Sequence, residues 1–164
     1  MTLTVHPFDT DFAHQIRNGG IDAYGNPPER AVSDGSGNPC RSCLKMIPEG
    51  HEMLIVAACP FPALQPYAET GPVFFCADDC TAYHGSDLLD CVRDGEDRLL
   101  KGYGHNNRIL YGTGAIVPVD KIAATCEDIF RDDRVAYVDV RSSLNNCFTF
   151  RVTRGDDEQP STRL

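Results

Sequence analysis

The residues best suited to bind a metal or to react are two pairs of closely spaced cysteines. Cys40 and Cys43 lie in PCRSC, and Cys76 and Cys80 lie in FFCADDC. Zinc takes about four Cys or His ligands at tetrahedral corners, and two cysteines in one tight turn can fill two of them. A second pair elsewhere in the chain completes the shell. The spacing therefore predicts a zinc site with four thiolate ligands.

Three alternatives to this site stay open at the level of sequence. His51 or His84 can replace one thiol, and iron also suits four thiolates. The cysteines can instead be structural, with the second pair ending an apolar run as small core residues and the first pair exposed. A redox dithiol is the third alternative. It should follow a strand and open a helix, and the sequence around Cys40 predicts neither.

The residues around the two pairs affect how well a metal would be held. Four thiolates around zinc carry a net charge of about -2, which nearby cations should reduce. Arg41 and Lys45 flank the first pair, whereas Asp78 and Asp79 oppose it unless they face solvent. Common zinc knuckles place Gly after the second cysteine, but here Leu44 takes that position.

Composition narrows the classes of partner. The chain has 164 residues, eight cysteines and a net charge of -9. This charge repels phosphate, so nucleic acid and anionic membranes are not expected partners. No signal peptide is evident, and the most apolar run, MLIVAAC, is too short to cross a bilayer. We therefore expect a cytoplasmic protein with reduced thiols.

The first half of the chain predicts one helix and two strands. DTDFAHQIRNGG is typical of a short helix with an Asp cap and a glycine stop. Residues 18–39 are rich in Gly, Pro, Ser and Asp, which indicates a long loop. The apolar runs HEMLIVAAC and PVFFC predict buried strands, and YHGSDLLDC predicts a helical turn.

The second half predicts two hairpins and the main helix. DRLLKGYGHNNRILYGTGAIV reads as a hairpin that turns at GHNN. VPVDKIAATCEDIFRDD has an apolar stripe with helical period, and Cys126 lies on that stripe as a core residue. VAYVDVRSSLNNCFTFRV predicts two alternating strands, and we expect residues 155–164 to be a flexible tail because they are polar and terminal. The whole predicts a single α+β domain over residues 1–164, with a mainly antiparallel sheet, one major helix packed on it, and a loop-rich N-terminal part that a metal would tie down.

The last hairpin offers a second candidate site. Its apolar residues share one face only if even positions pair with even positions, and the best match opposes Val140 with Phe148. That register sets Arg141 opposite Cys147 and Tyr137 opposite Arg151 on a polar face. A neighbouring guanidinium stabilises thiolate, so Cys147 is a candidate nucleophile assisted by Arg141. No histidine lies near in sequence to act as base, and a solvated sheet face is the simpler interpretation.

Several of these segments resemble one family. PCRSC, YAETGPVFF followed by Cys80, RVAYVDVRSS and NCFTFRV occur in the order found in an uncharacterised bacterial family, domain of unknown function 1203. The resemblance covers most of the chain from Pro39 to Val152. Members often carry His where Cys76 stands, which is also a zinc ligand. The resemblance implies no established activity, cofactor or catalytic residue.

Together these observations predict a domain with a structural zinc on Cys40, Cys43, Cys76 and Cys80. We expect it to bind a protein partner or a small ligand along the face of Tyr137, Arg141 and Arg151. The alternative is an enzyme, which would use either an open zinc site or Cys147 as a nucleophile.

Overall fold

The computed structural model describes residues 1–87, 92 and 96–155. Within them the chain forms eight strands and two α-helices: β1 (Leu3–His6), α1 (Thr10–Arg17), β2 (Glu29–Val32), β3 (Glu52–Ala58), β4 (Gly71–Cys76), β5 (Arg98–Tyr103), β6 (Ala115–Val117), α2 (Ile122–Ile129), β7 (Tyr137–Ser142) and β8 (Phe148–Arg154). A single 3₁₀ turn, Val119–Lys121, leads into α2. Among the described residues, no helix has the length and apolar character that a bilayer span requires.

The strands form two antiparallel sheets. The larger sheet has the order β1-β8-β7-β5-β6, and the smaller one has the order β2-β3-β4. The apolar face of the larger sheet packs on α2, where Ile122 and Cys126 lie in one cluster with Val138, Val140 and other buried side chains. The prediction of an α+β fold with a mainly antiparallel sheet and one main helix is confirmed.

Helix α1 packs on the smaller sheet and is capped as its sequence predicts. Asp9 accepts a hydrogen bond from the backbone N–H of Phe12 at 3.0 Å, which satisfies one free donor of the first turn. Gly19, at φ 83°, follows the last turn. The buried face carries Phe12 and Ile16 into a second core cluster that also holds Cys40. This packing brings the C-terminal end of α1 towards the cysteines.

Two predicted segments differ from the structure. Residues 18–39 contain β2, an edge strand with mostly exposed side chains that pairs with β3. Because neither face of β2 is buried, its sequence lacks the alternation that reveals strands. The turn at GHNN is confirmed, with Gly104 N–H bound to Arg108 O at 3.0 Å. The main return strand, β6, comes eight residues after it, at 115–117. Residues 88–91 of the predicted turn over 83–91, and the tail from residue 156, lie outside the described residues; residues 83–87 are described and contain no helix.

The predicted register of the last hairpin is wrong by two residues. Even positions do pair with even positions, but Val140 opposes Phe150, not Phe148. Arg141 opposes Phe148, so one extra residue, Thr149, stands on β8 as a bulge. Bulges of this kind follow from the three-dimensional course of the strand and leave no clear mark on the apolar pattern.

The polar face of this hairpin is buried, so the interpretation as a solvated face is also wrong. Tyr137, Asp139 and Arg151 are fully buried, and Arg141 is 3% exposed. The segment 59–69, between β3 and β4, covers them, and the Pro60 carbonyl accepts a hydrogen bond from Arg151 at 3.0 Å. This face is an interior layer between the sheet and a loop.

Candidate metal centre

The two cysteine pairs meet because the loop with the first pair runs beside the strand that ends in the second. Cys40 forms a parallel bridge with Phe74 in β4, and the Arg41 N–H donates to Phe74 O at 2.9 Å. Cys76 is the last residue of β4, and Cys80 lies in the loop beyond it. The first pair is therefore held next to the second by backbone hydrogen bonds.

The four sulfur atoms form a compact group. The Sγ atoms of Cys40, Cys43, Cys76 and Cys80 all lie within 4.8 Å of one another, and those of Cys40 and Cys80 are 3.8 Å apart. A tetrahedral ion with Zn–S bonds of about 2.3 Å places its sulfurs about 3.8 Å apart, whereas a disulfide needs about 2.05 Å. The cysteines are free thiols, and their donor set and spacing fit a metal ion.

The backbone around Cys40 and Cys43 forms a tight knuckle. Leu44 N–H donates to Cys40 O at 3.0 Å, and Cys40 N–H donates to Lys45 O at 2.9 Å. Leu44 has φ 57°, the left-handed conformation that favours glycine. Its side chain is buried in the core, which offsets the backbone strain. The departure from the common Cys-Gly pattern thus leaves the knuckle conformation intact.

Amide hydrogen bonds also support the first sulfur. Ser42 and Cys76 each donate a backbone N–H to Cys40 Sγ at 3.4 Å. Such bonds favour the thiolate form, which is the form that binds metal. Ser42 lies between the two cysteines of the first pair, and Cys76 belongs to the second pair, so both segments support this sulfur.

Arg17, which the sequence analysis missed, is a cation that contacts one of the four sulfurs. Its Nη2 donates to Cys80 Sγ at 2.9 Å, its Nε donates to Cys76 O at 3.0 Å, and its side chain is 6% exposed. The Arg41 guanidinium donates to the carbonyls of Phe148 and Pro39, and Lys45 is exposed.

The carboxylates between Cys76 and Cys80 face solvent. Asp78 is exposed, and the Asp79 side chain is 84% exposed, with Oδ1 3.5 Å from Arg17 Nη1. Solvent screens these charges, so they oppose a thiolate group only weakly. Both aspartates face solvent, so they are compatible with a group of four thiolates between the two cysteine pairs.

The thiols strongly affect each other's ionisation. Hydrogen bonds from Cys43, Cys76 and Cys80 lower the pKa of Cys40, so its sulfur is the preferred thiolate. The pKa values of Cys43 and Cys76 are raised, chiefly because each thiol hydrogen-bonds to the Cys40 sulfur. A divalent cation bound to all four sulfurs would remove this difference, since it favours the deprotonated form of every ligand.

The other candidate ligands lie apart from this group. His51 and His84 are exposed, and neither belongs to the cluster of four sulfurs. Cys59 and Cys126 are buried in the apolar clusters, and burial raises the pKa of Cys126 to about 12. Cys126 has the predicted place in the core.

Arg141 and Cys147 are not cross-strand partners. Arg141 Nη1 lies 2.8 Å from Glu69 Oε2, while Cys147 Sγ lies 3.7 Å from the Asn145 carbonyl. Both residues nevertheless line one pocket of about 200 Å³. Cys147 also lines a larger cavity of about 1130 Å³, and Cys43 lines the same cavity.

The buried polar layer under segment 59–69 is an ion-pair chain, in which charges alternate along the order Lys101, Glu69, Arg141, Asp139 and Arg151. Its tightest contact joins Arg151 Nε to Asp139 Oδ1 at 2.7 Å. The Arg151 guanidinium also lies 3.7 Å from the centre of the Tyr137 ring. The face predicted to bind a ligand is therefore largely occupied by its own side chains.

Fold and site together define a small α+β domain with a four-thiol candidate metal centre. The chain belongs to the family of proteins of unknown function DUF1203, which matches residues 37–154. The matched region includes all four cysteines but not Arg17. No curated protein and no solved structure matches the chain.

Proposed function

We propose that Cys40, Cys43, Cys76 and Cys80 hold a structural zinc ion in a domain that binds a protein partner or a small ligand. The observation that carries the proposal is the mutual approach of the four sulfurs within 4.8 Å. Zinc fits because thiolates are favoured ligands and the ion accepts a closed tetrahedral shell. The zinc would connect the knuckle loop, the end of β4 and, through Arg17, helix α1.

A closed shell makes the ion structural rather than catalytic. Four protein ligands leave no coordination position for water or substrate. Metal binding then contributes directly to the free energy of folding. A cytoplasmic location and a single domain over 1–164 complete the proposal, and the net charge of -9 argues against nucleic acid as the partner.

Metal content and thiol counting test the proposal together. The protein is purified anaerobically without an affinity-tag metal, and its metal is measured by mass spectrometry. We expect about one zinc per chain, with four thiols unmasked by a chelator. Absence of metal, with all eight cysteines freely reactive after unfolding, would overturn the zinc proposal.

A thiol enzyme is the second candidate, because Cys147 and Arg141 line one pocket. In that case a small electrophile near neutral pH should alkylate Cys147 faster than the other cysteines. Labelling of Cys147 at the rate of an unfolded peptide thiol would exclude an activated nucleophile. An open zinc site is tested separately. Cys43→Ala should unfold a structural site but leave a folded, weaker metal complex if the site is open.

A further inference from the structure

Among the four cysteines of the candidate metal centre, Cys80 alone lies outside a strand or a tight turn. The first pair belongs to the knuckle, and Cys76 is the last residue of β4. Residues 77–84, which carry Cys80, form neither helix nor strand. Cys80 is half-buried, and its neighbours Asp79 and Thr81 are exposed. Cys80 can therefore shift without breaking a strand, and a small solute can reach it.

The sulfur in contact with Cys80 belongs to Cys40. The two Sγ atoms lie 3.8 Å apart, so an approach of about 1.8 Å brings them to the disulfide bond length of about 2.05 Å. Cys40 is fully buried, so solutes do not reach it, but its sulfur can attack the neighbouring one. Redox-sensing cysteines typically combine an accessible thiolate with a second cysteine beside it that forms the disulfide. Cys80 and Cys40 occupy these two positions.

We propose that Cys80 and Cys40 form a peroxide-sensitive pair, whose disulfide releases the bound metal. The Cys80 thiolate attacks hydrogen peroxide, the O–O bond breaks, and hydroxide leaves from the resulting sulfenic acid. The Cys40 thiolate then attacks the sulfur of this sulfenic acid, and a second hydroxide leaves as the S–S bond forms. The two thiolates together lose two electrons, which reduce one peroxide to two hydroxide ions.

The disulfide changes both the metal shell and the contact with helix α1. Two of the four ligands are lost, so zinc is no longer held by a closed tetrahedral shell. A disulfide sulfur carries no negative charge, so Arg17 Nη2 loses the charge-assisted hydrogen bond that it makes to Cys80 Sγ at 2.9 Å. Arg17 is the last residue of α1, and the end of this helix should loosen. Metal release rests on the proposed zinc site, whereas the disulfide step needs only the two sulfurs.

Oxidation of the whole, unmodified chain by an equimolar amount of hydrogen peroxide tests this pair. Zinc content is measured first, and released zinc is followed with a coloured indicator. Remaining thiols are then alkylated, and disulfides are mapped by mass spectrometry of unreduced peptides. We expect a disulfide between Cys40 and Cys80, with one zinc released per disulfide. Cys147, which is also half-buried but lies outside the group, is the internal control and should be oxidised about ten-fold or more slowly.

The outcomes separate this proposal from the zinc proposal. A zinc protein that keeps its thiols, forms other disulfides, or oxidises Cys80 no faster than Cys147 would overturn the switch and leave the zinc site intact as a proposal. If the purified protein contains no zinc, the zinc proposal fails, and the presence or absence of the Cys40–Cys80 disulfide alone decides whether the two cysteines form a redox pair. Cys80→Ser should slow peroxide-driven zinc release about ten-fold or more, and if this variant does not fold, the disulfide map of the wild type decides.

Amide hydrogen exchange tests the effect on α1. After oxidation, amides in the last turn of α1 should exchange about ten-fold or more faster, because the hydrogen bond from Arg17 to a charged sulfur is lost. Helix α2, which packs on the larger sheet, is the control and should keep its rate. Unchanged exchange in α1, or equally faster exchange in both helices, would contradict a switch that acts on α1 through Arg17.

Discussion

Arg17 Nη2 donates to Cys80 Sγ over 2.9 Å, and this contact joins helix α1 to the candidate metal centre. The same guanidinium holds the Cys76 carbonyl through Nε at 3.0 Å. A buried cation that touches one sulfur and the backbone of another ligand both orients the ligands and offsets their negative charge. The N-terminal helix, outside the region matched by the family, therefore supports the site.

Arg17→Gln should weaken zinc binding. Loss of a residue that supports metal ligands typically costs about 10–100-fold in affinity, and we expect a loss in this range. Competition with a chromophoric chelator measures it, and circular dichroism checks the fold. Arg30→Gln is the matched control, because Arg30 pairs with Glu52 at the surface. Equal affinities for wild type and Arg17→Gln would show that Arg17 does not support the site.

Leu44→Gly should destabilise the protein although Leu44 has a positive φ. Glycine relieves about 1–2 kcal/mol of left-handed strain, but loss of a buried leucine side chain costs about 2–5 kcal/mol. We expect a net loss of about 1–3 kcal/mol in the free energy of unfolding, measured by urea denaturation in excess zinc. Asn146→Gly, at φ 58° in an exposed turn, is the control and should be neutral or stabilising. A more stable Leu44→Gly protein would show that strain dominates at the knuckle.

The sequence predicts the cysteine group and most elements because their signals are local. Three of these signals each lie within a short window of sequence: the Asp9 cap of α1, the apolar stripe of α2, and the two-residue gap between Cys40 and Cys43. Contacts between residues that are far apart in the sequence leave no such local signal. Arg17 lies far from Cys80 in sequence, and only the packing of α1 brings them together. The one local signal for this contact is a basic residue in the last turn of a helix, and such residues are common on protein surfaces.

The buried polar layer shows a second limit on what can be predicted from the sequence. Alternation correctly places Tyr137, Asp139 and Arg141 on one face, but it does not reveal what covers that face. The covering segment, 59–69, contains three prolines in CPFPALQPYAE, which is typical of a connecting loop and does not show what the loop covers. Because the burial of a charged face depends on a segment distant in sequence, the sequence pattern alone predicts that this face is exposed to solvent.

Asp139→Asn should strongly destabilise the protein. The change leaves Arg141 and Arg151 buried with no carboxylate between them, a situation that typically costs about 3–5 kcal/mol. Chemical denaturation measures the loss. Asp132→Asn, at an exposed ion pair with Arg134, is the control and should have a much smaller effect.

A double-mutant cycle separates the pair from general disruption. Asp139→Leu with Arg151→Met removes both charges, so the double variant should be more stable than the sum of the single losses predicts, by about 0.5–3 kcal/mol. Additive losses would mean that the 2.7 Å contact between Arg151 and Asp139 contributes no coupling.

His6 should make the protein less stable in mild acid. Burial and then the charge of Arg151, its cross-strand neighbour, lower the pKa of His6 from 6.5, and Nε2 lies 2.8 Å from Thr153 Oγ1. Below the ordinary pKa the unfolded chain binds a proton that the folded chain does not, so stability rises with pH. The loss on acidification begins near pH 6.5 and ends when His6 of the folded chain is protonated.

Comparison of variants isolates this contribution from acid release of any metal bound at the four cysteines, which would affect all variants alike. His6→Gln keeps a polar group near Thr153 but cannot gain charge, so its stability should fall less steeply between about pH 7 and pH 5. The difference in slope is at most about 1.4 kcal/mol per pH unit, the value for one proton. Exposed His105→Gln is the control and should follow the wild type. Parallel curves for His6→Gln and wild type would mean that the folded and unfolded chains protonate His6 alike, and that Arg151 and burial do not disfavour its charged form.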